Sequence, residues 1–176
     1  MNKILIFEYL VFRLNEWKLI LEKENVNVPA FTKLRLQKIL FLVCAWKATG
    51  ANERLLSVFN NFYALPYGPV EMDIYEAMKN RSFQHICFEG NICICDSLMS
   101  TMFADVSNEH KLYVDETIKY FMKSHFKYLS MPVFDLVELT HKWPVWQIAM
   151  QYAKLLGHNK ARITSSDIIE SKKSYD

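Results

Sequence analysis

Residues 2–23, NKILIFEYLVFRLNEWKLILEK, contain neither Gly nor Pro. Phe7, Leu10, Val11, Leu14, Trp17 and Leu21 recur along them at the spacing that gathers side chains on one side of an α-helix. The stretch predicts a long amphipathic first helix, and its other side is also partly apolar. Such a helix is either the centre of its domain or a surface that docks a second copy or another protein, and the first of these is the simpler expectation. Glu8 interrupts the apolar run from Ile4 to Phe12, and Arg13, Asn15 and Glu16 follow without a small-residue cleavage site. The segment therefore reads as neither a signal peptide nor a membrane span, and a cytoplasmic location is expected.

Beyond this helix the chain is punctuated by caps and breakers. Val26 to Pro29 ends the first helix, and Thr32 caps a second that carries Leu36, Ile39, Leu40, Val43 and Trp46 and runs to about Thr49-Gly50. The two helices are expected to pack together. Leu56 to Leu65 is rich in β-branched and aromatic residues and leads into a bend at Pro66-Tyr67-Gly68-Pro69. Pro69 suits a first helical position, with Gly68 as cap and Glu71 and Asp73 in the first turn, so a short helix to about Lys79 is predicted. Gln84 to Asp96 reads as a hairpin turning at Gly90-Asn91. A helix opened by Ser107 or Asn108 carries Leu112, Val114, Ile118, Phe121, Met122 and Phe126. Another, opened by Ser130 and Pro132, carries Phe134, Val137 and Leu139. Pro144 forces a break, after which Trp146, Ala149, Met150, Ala153 and Leu156 form a helix ending at Gly157, and Thr164 with Asp167 resembles a capping box.

No repeat or flexible linker is visible. The expected class is mainly α, or α+β with a small β-hairpin, in a single-domain bundle of six or seven helices over residues 1–172, with 173–176 as a frayed tail.

The composition fits that picture. The chain has 176 residues, 51% hydrophobic and 14% aromatic, with four Gly and five Pro, enough to fill a core without a covalent staple. Lys and Arg number 21 against 19 acidic residues, so there is no strong pull toward nucleic acid or anionic lipid. Strand alternation in the predicted hairpin puts Ile86, Phe88, Cys93 and Cys95 on one face and Cys87, Ile92 and Ile94 on the other. The three hairpin cysteines then cannot converge on a metal, and with Cys44 they read as buried, inert reduced thiols.

Catalytic signals are sparse. Four scattered glycines build neither a P-loop nor a dinucleotide fingerprint, and the five histidines match no metalloprotease spacing. His110 and His125 read as solvent-facing helical residues. His141, in Leu139-Thr140-His141-Lys142-Trp143-Pro144-Val145-Trp146, sits at a helix end where it can satisfy backbone groups while the tryptophans fill the core. Pairing it with Cys44 as a nucleophilic dyad is disfavoured, because a thiol on an apolar helix has a raised pKa. Lys154, His158, Lys160 and Arg162 form a modest basic cluster, but no helix-turn-helix, zinc finger or aromatic sheet accompanies it, so nucleic acid is not the expected partner.

Three stretches in this order resemble a known family. Leu34-Arg35-Leu36-Gln37-Lys38-Ile39-Leu40-Phe41 looks like its early L-Q-K-L-L helix. Phe62-Tyr63-Ala64-Leu65-Pro66-Tyr67-Gly68-Pro69-Val70 looks like its central Y-G-P-V turn, and Leu136-Val137-Glu138-Leu139-Thr140-His141 with Trp146 looks like its L-T-H followed by tryptophan. The family is the Panacea domain, the SocA-like antitoxins of bacteria and their phages, and the resemblance covers about residues 30–170. It implies a mainly helical domain that neutralises a cognate toxin encoded by a neighbouring gene, in a module linked to phage defence. A variant of that role is an adaptor that presents the toxin to a protease.

The resemblance carries over Gln37, Lys38, Tyr67, Gly68, Pro69, Thr140, His141 and Trp146 as signature or partner-binding residues. It implies no catalytic residue, metal or cofactor. A homodimer is a second candidate assembly, since four tryptophans and nine tyrosines are residue types that anchor interfaces. The competing enzyme reading requires His141, Lys38 and Tyr67 to line one pocket that reaches solvent.

Overall fold

The computed structural model describes residues 2–176. Within them are seven α-helices and two small antiparallel sheets, a mainly α architecture with a minor β part. The helices are α1 (Lys3–Lys23), α2 (Lys33–Ala45), α3 (Met72–Asn80), α4 (Asn108–Ser124), α5 (Val133–His141), α6 (Pro144–Leu155) and α7 (Ser165–Glu170). Strands β1 (Phe62–Leu65), β2 (Gly68–Glu71) and β5 (Ala161–Ile163) form a sheet in the order β2-β1-β5. Strands β3 (Cys87–Glu89) and β4 (Ile92–Ile94) form a separate hairpin.

Helix α1 is capped by Asn2, whose side chain accepts from the Leu5 N–H. It is buried from Leu5 to Phe12 and at Leu14, Asn15, Trp17 and Leu21, which makes it a central helix; its exposed apolar side chains are confined to Leu19 and Ile20 near the C-terminal end. Glu8, the polar interruption of the apolar run, is itself fully buried. Its Oε1 accepts the backbone N–H groups of Gln84, His85 and Ile86 at 2.7–3.2 Å and so fixes the approach to the β3–β4 hairpin.

Helix α2 is capped by Thr32 as expected, and every residue from Arg35 to Ala45 is buried. Two expectations about it are corrected. It stops at Ala45 instead of near Thr49-Gly50, because Lys47 takes a left-handed conformation (φ 51°) that turns Trp46 under Tyr120 and the cations of Lys47 and Arg54. It also does not pack chiefly on α1. The main helical neighbour of α1 is α4, while α2 lies against β2 and α5, whose surfaces claim its apolar circumference. Arg35 carries the second contact. Its guanidinium, 2% exposed, donates to the carbonyls of Tyr128, Leu129 and Met131 and holds the α4–α5 connection.

The expected hairpin forms with Gly90-Asn91 at its turn and Gly90 at φ 60°. Ile86, Phe88, Cys93 and Cys95 are buried while Cys87, Ile92 and Ile94 are exposed, the partition that alternation requires. Ser107 caps α4, Pro144 starts α6, and Thr164 and Asp167 form a reciprocal capping box on α7. Several expected core positions face outward instead. Leu112, Phe126, Phe134 and Leu156 are all more than half exposed, and Phe126 and Leu156 lie beyond the helices assigned to them. His125, expected to face solvent, is largely buried and stacks on Tyr128. Near the C-terminus, where fraying was expected, Tyr175 packs edge-on to Trp143 and donates to the Leu42 carbonyl.

Arg35→Met leaves three buried carbonyls without their donor and is expected to cost about 3 kcal/mol. For a chain of this length that lowers Tm by roughly 6–12 °C, measurable in a thermal melt. An unchanged Tm would mean that the clamp contributes nothing to stability.

Candidate functional site

The three resembling stretches meet around one short hairpin. Strands β1 and β2 pair in the register Phe62↔Glu71 to Leu65↔Gly68 across a two-residue turn, Pro66-Tyr67. In such a hairpin Gly68 and Val70 bond back to β1, which leaves the backbone groups of Pro69 and Glu71 pointing away from the sheet. Strand β2 is an outer strand, so these groups need partners elsewhere.

Helix α2 supplies them. Gln37 Nε2 donates to the Glu71 carbonyl at 3.3 Å, and Gln37 Oε1 accepts the Glu71 N–H at 2.9 Å, so one side-chain amide does what a neighbouring strand residue would do. Pro69 has no N–H to satisfy, and Lys38 Nζ donates to its carbonyl at 2.6 Å. The outward edge of β2 is thereby fully hydrogen-bonded by two consecutive side chains. This corrects the expectation that Gly68 caps a helix starting at Pro69. Both residues are in β2, and α3 begins at Met72 with Glu71 as its cap.

Glu71 was missed as a site residue. Fully buried, it caps α3 through the Ile74 N–H at 2.9 Å and pairs with Lys3 of α1 at 2.7 Å. Its only trace in the sequence is a carboxylate beside the Gly-Pro-Val turn, which fits a first-turn charge equally well.

Helix α5 closes the other side. Gly68 has φ 97°, and a Cβ there would lie 2.5 Å from Thr140 Oγ1 and 3.0 Å from Lys38 Nζ. Glycine is required both by conformation and by space. Thr140 is fully buried and donates to the Val137 carbonyl. The His141 ring stacks on Trp146, with centroids 3.8 Å apart and planes 12° apart, and Trp146 Nε1 donates to the Leu65 carbonyl at 2.9 Å. Seven of the eight expected site residues thus converge on residues 65–71. The eighth, Tyr67, stands at the turn tip, 62% exposed.

The electrostatics are those of a sealed interior. Lys38 is fully buried, its hydrogen-bond partner among the described residues is a carbonyl, and burial pulls its pKa from 10.5 to about 7. His141 is also lowered, first by burial and then by the Lys38 charge, against the opposing influence of the Pro66 backbone and Glu138. Its Nε2 is buried without a partner. Cys44 is held well above its ordinary value by burial. The Lys38 charge therefore acts on His141, but Lys38 does not reach solvent. Of the larger cavities, about 470–540 Å³, one touches the signature set, and it does so through Gln37. Among the described residues no group of three or more His, Cys, Asp or Glu is placed to hold a metal ion, and no helix is long and apolar enough to cross a membrane. The basic residues Lys154, His158, Lys160 and Arg162 are exposed along the end of α6, the following loop and β5.

Residues 36–147 match the family model of the antitoxin SocA-like Panacea domain, a span of more than half the chain that contains all eight residues. The chain belongs to this family. No curated protein and no solved structure matches it. In this Panacea domain the signature positions build an internal brace, in which a helix and a helix end grip a two-stranded turn.

Two outcomes follow. Gly68→Ala is expected to destabilise by about 2–4 kcal/mol, combining the backbone strain of a positive φ with the clash against Thr140. Pairing it with Thr140→Ala should recover part of that loss, so a double-mutant cycle by urea unfolding must be non-additive, and additivity would mean the two do not touch. The second outcome concerns pH. Unfolded Lys38 keeps its proton up to about 10.5, whereas folded Lys38 releases it near 7, so the unfolded state binds more protons between these values. Stability contributed through this group rises with pH across that window, by a few kcal/mol in all. The stability difference between the wild type and Lys38→Met, followed from pH 7 to pH 10, should move in favour of the wild type, and a flat difference would contradict the burial of the ammonium.

Proposed function

We propose that this chain is an antitoxin that binds and neutralises a cognate toxin, the product of a neighbouring gene, within a toxin–antitoxin module linked to phage defence. The observation that carries the reading is the use of the signature residues. In a chain of the SocA-like antitoxin family all of them but the exposed Tyr67 belong to an internal brace instead of an open constellation, which supports a reading in which the pattern specifies a scaffold and leaves recognition to the surface. A catalytic role around His141 and Lys38 would need a substrate to reach an ammonium that is fully buried. The near-neutral charge and the absence of a transmembrane-length helix among the described residues support a protein partner over nucleic acid or a bilayer.

The test is to place the adjacent open reading frame under a tight promoter, with and without this chain, and to follow growth and the level of the neighbour together. Direct neutralisation predicts that growth returns while the toxin remains at full level in a stable complex. Return of growth with steady disappearance of the toxin would instead show a proteolytic adaptor. A toxic neighbour that this chain does not rescue would sink both.

A further inference from the structure

Helix α6 is apolar on two sides. Val145, Met150 and Ala153 are buried against the rest of the protein. On the outer side Ile148, Tyr152 and Leu155, with Leu156 just past the helix end, follow one another at helical spacing and are 67%, 59%, 85% and 52% exposed. A single exposed leucine needs no explanation, but four large apolar side chains in one stripe do. The stripe borders a groove of about 510 Å³ between α6, β5 and α7, which Ile148 and Tyr152 line directly. Strand β5 is the outer strand of its sheet on this side. The stripe lies beyond residue 147, where the match to the family model ends.

We propose that this face joins two copies of the chain in a symmetric dimer, α6 against α6 across a two-fold axis. The charges in the groove favour a second copy. They are Arg162 and Lys172 against Asp167 and Glu170, two of each sign, and a two-fold contact must be complementary to itself. Rotation about the axis sets the bases of one copy toward the acids of the other, whereas a strongly charged foreign partner would be met by a face of one sign. The area is also of the right order. The four side chains offer on the order of 400 Å² per copy, about half of the ~800 Å² that a stable contact buries on each partner, and the groove walls supply the remainder.

The proposal is independent of the toxin assignment, and its failure leaves that assignment standing. It is tested by sedimentation or light scattering of the full chain over micromolar concentrations. The expected mass is twice the 20.8 kDa of one chain. Leu155→Glu and Ile148→Glu should each weaken the dimer at least ~100-fold while preserving the far-UV circular dichroism, because both side chains face solvent in the single chain. Leu112→Glu, at an exposed leucine on α4, should leave the dimer intact. A wild type that stays at 20.8 kDa throughout, or a dimer that survives both α6 substitutions, overturns the proposal. A monomer in which Leu155→Glu abolishes toxin rescue overturns it too, and assigns the face to the toxin.

Discussion

Strand β2 has an outer edge and no further strand to cover it. Its exposed backbone groups amount to the Pro69 carbonyl and both polar groups of Glu71, and Lys38 and Gln37 satisfy them from the adjacent helix. Most of the architecture follows from this requirement. Helix α2 must lie along β2 with these two side chains facing it, which buries the helix on every side. The lysine must be desolvated to reach Pro69. Residue 68 must have no side chain, so that Lys38 and Thr140 can occupy the space beside it. An unpaired carbonyl or N–H in a dry interior is costly, and Lys38 meets the Pro69 carbonyl at the cost of a pKa that burial lowers to about 7.

The brace also gives most of the signature positions a structural use. A glutamine, a lysine, a glycine, a proline and a threonine at these positions look like signature or partner-binding residues when read along the chain. In three dimensions their polar atoms are turned toward one another and toward backbone. The positions still exposed near the brace, chiefly Tyr67, belong to a turn whose shape the brace fixes. A rigid scaffold of this kind suits recognition, because surface residues can vary without disturbing the contacts that hold the turn.

Local chemistry was readable in the sequence wherever one residue type has one physical use. Thr32, Ser107 and Thr164 act as caps, Pro144 starts a helix, and the Gly90-Asn91 hairpin sorts its cysteines by alternation. The reading failed where tertiary demand decided. Gly68-Pro69 fits a helix start or a strand edge equally well, and only the partner groups on α2 choose the strand. Trp46 ends α2 early where it packs on Tyr120, from a distant part of the chain, and on the nearby cations of Lys47 and Arg54. Glu8 looks like solvent-facing punctuation until the three N–H groups near residue 85 are seen around it. Of the candidate site, the members were legible and their convergence was not, since it joins segments a hundred residues apart.

That separation has a consequence in time. Strand β1 pairs with β5, joining Ala64 to Ala161, and the Tyr175 side chain packs against Trp143 and bonds to the backbone of α2. During synthesis β1 leaves the ribosome nearly a hundred residues before its second partner exists, a wait of roughly 5–20 s at ~5–20 residues per second. The sheet therefore closes only after β5 has been made. A nascent polypeptide that has not yet reached β5 has the brace sequence but not the strand that closes its sheet.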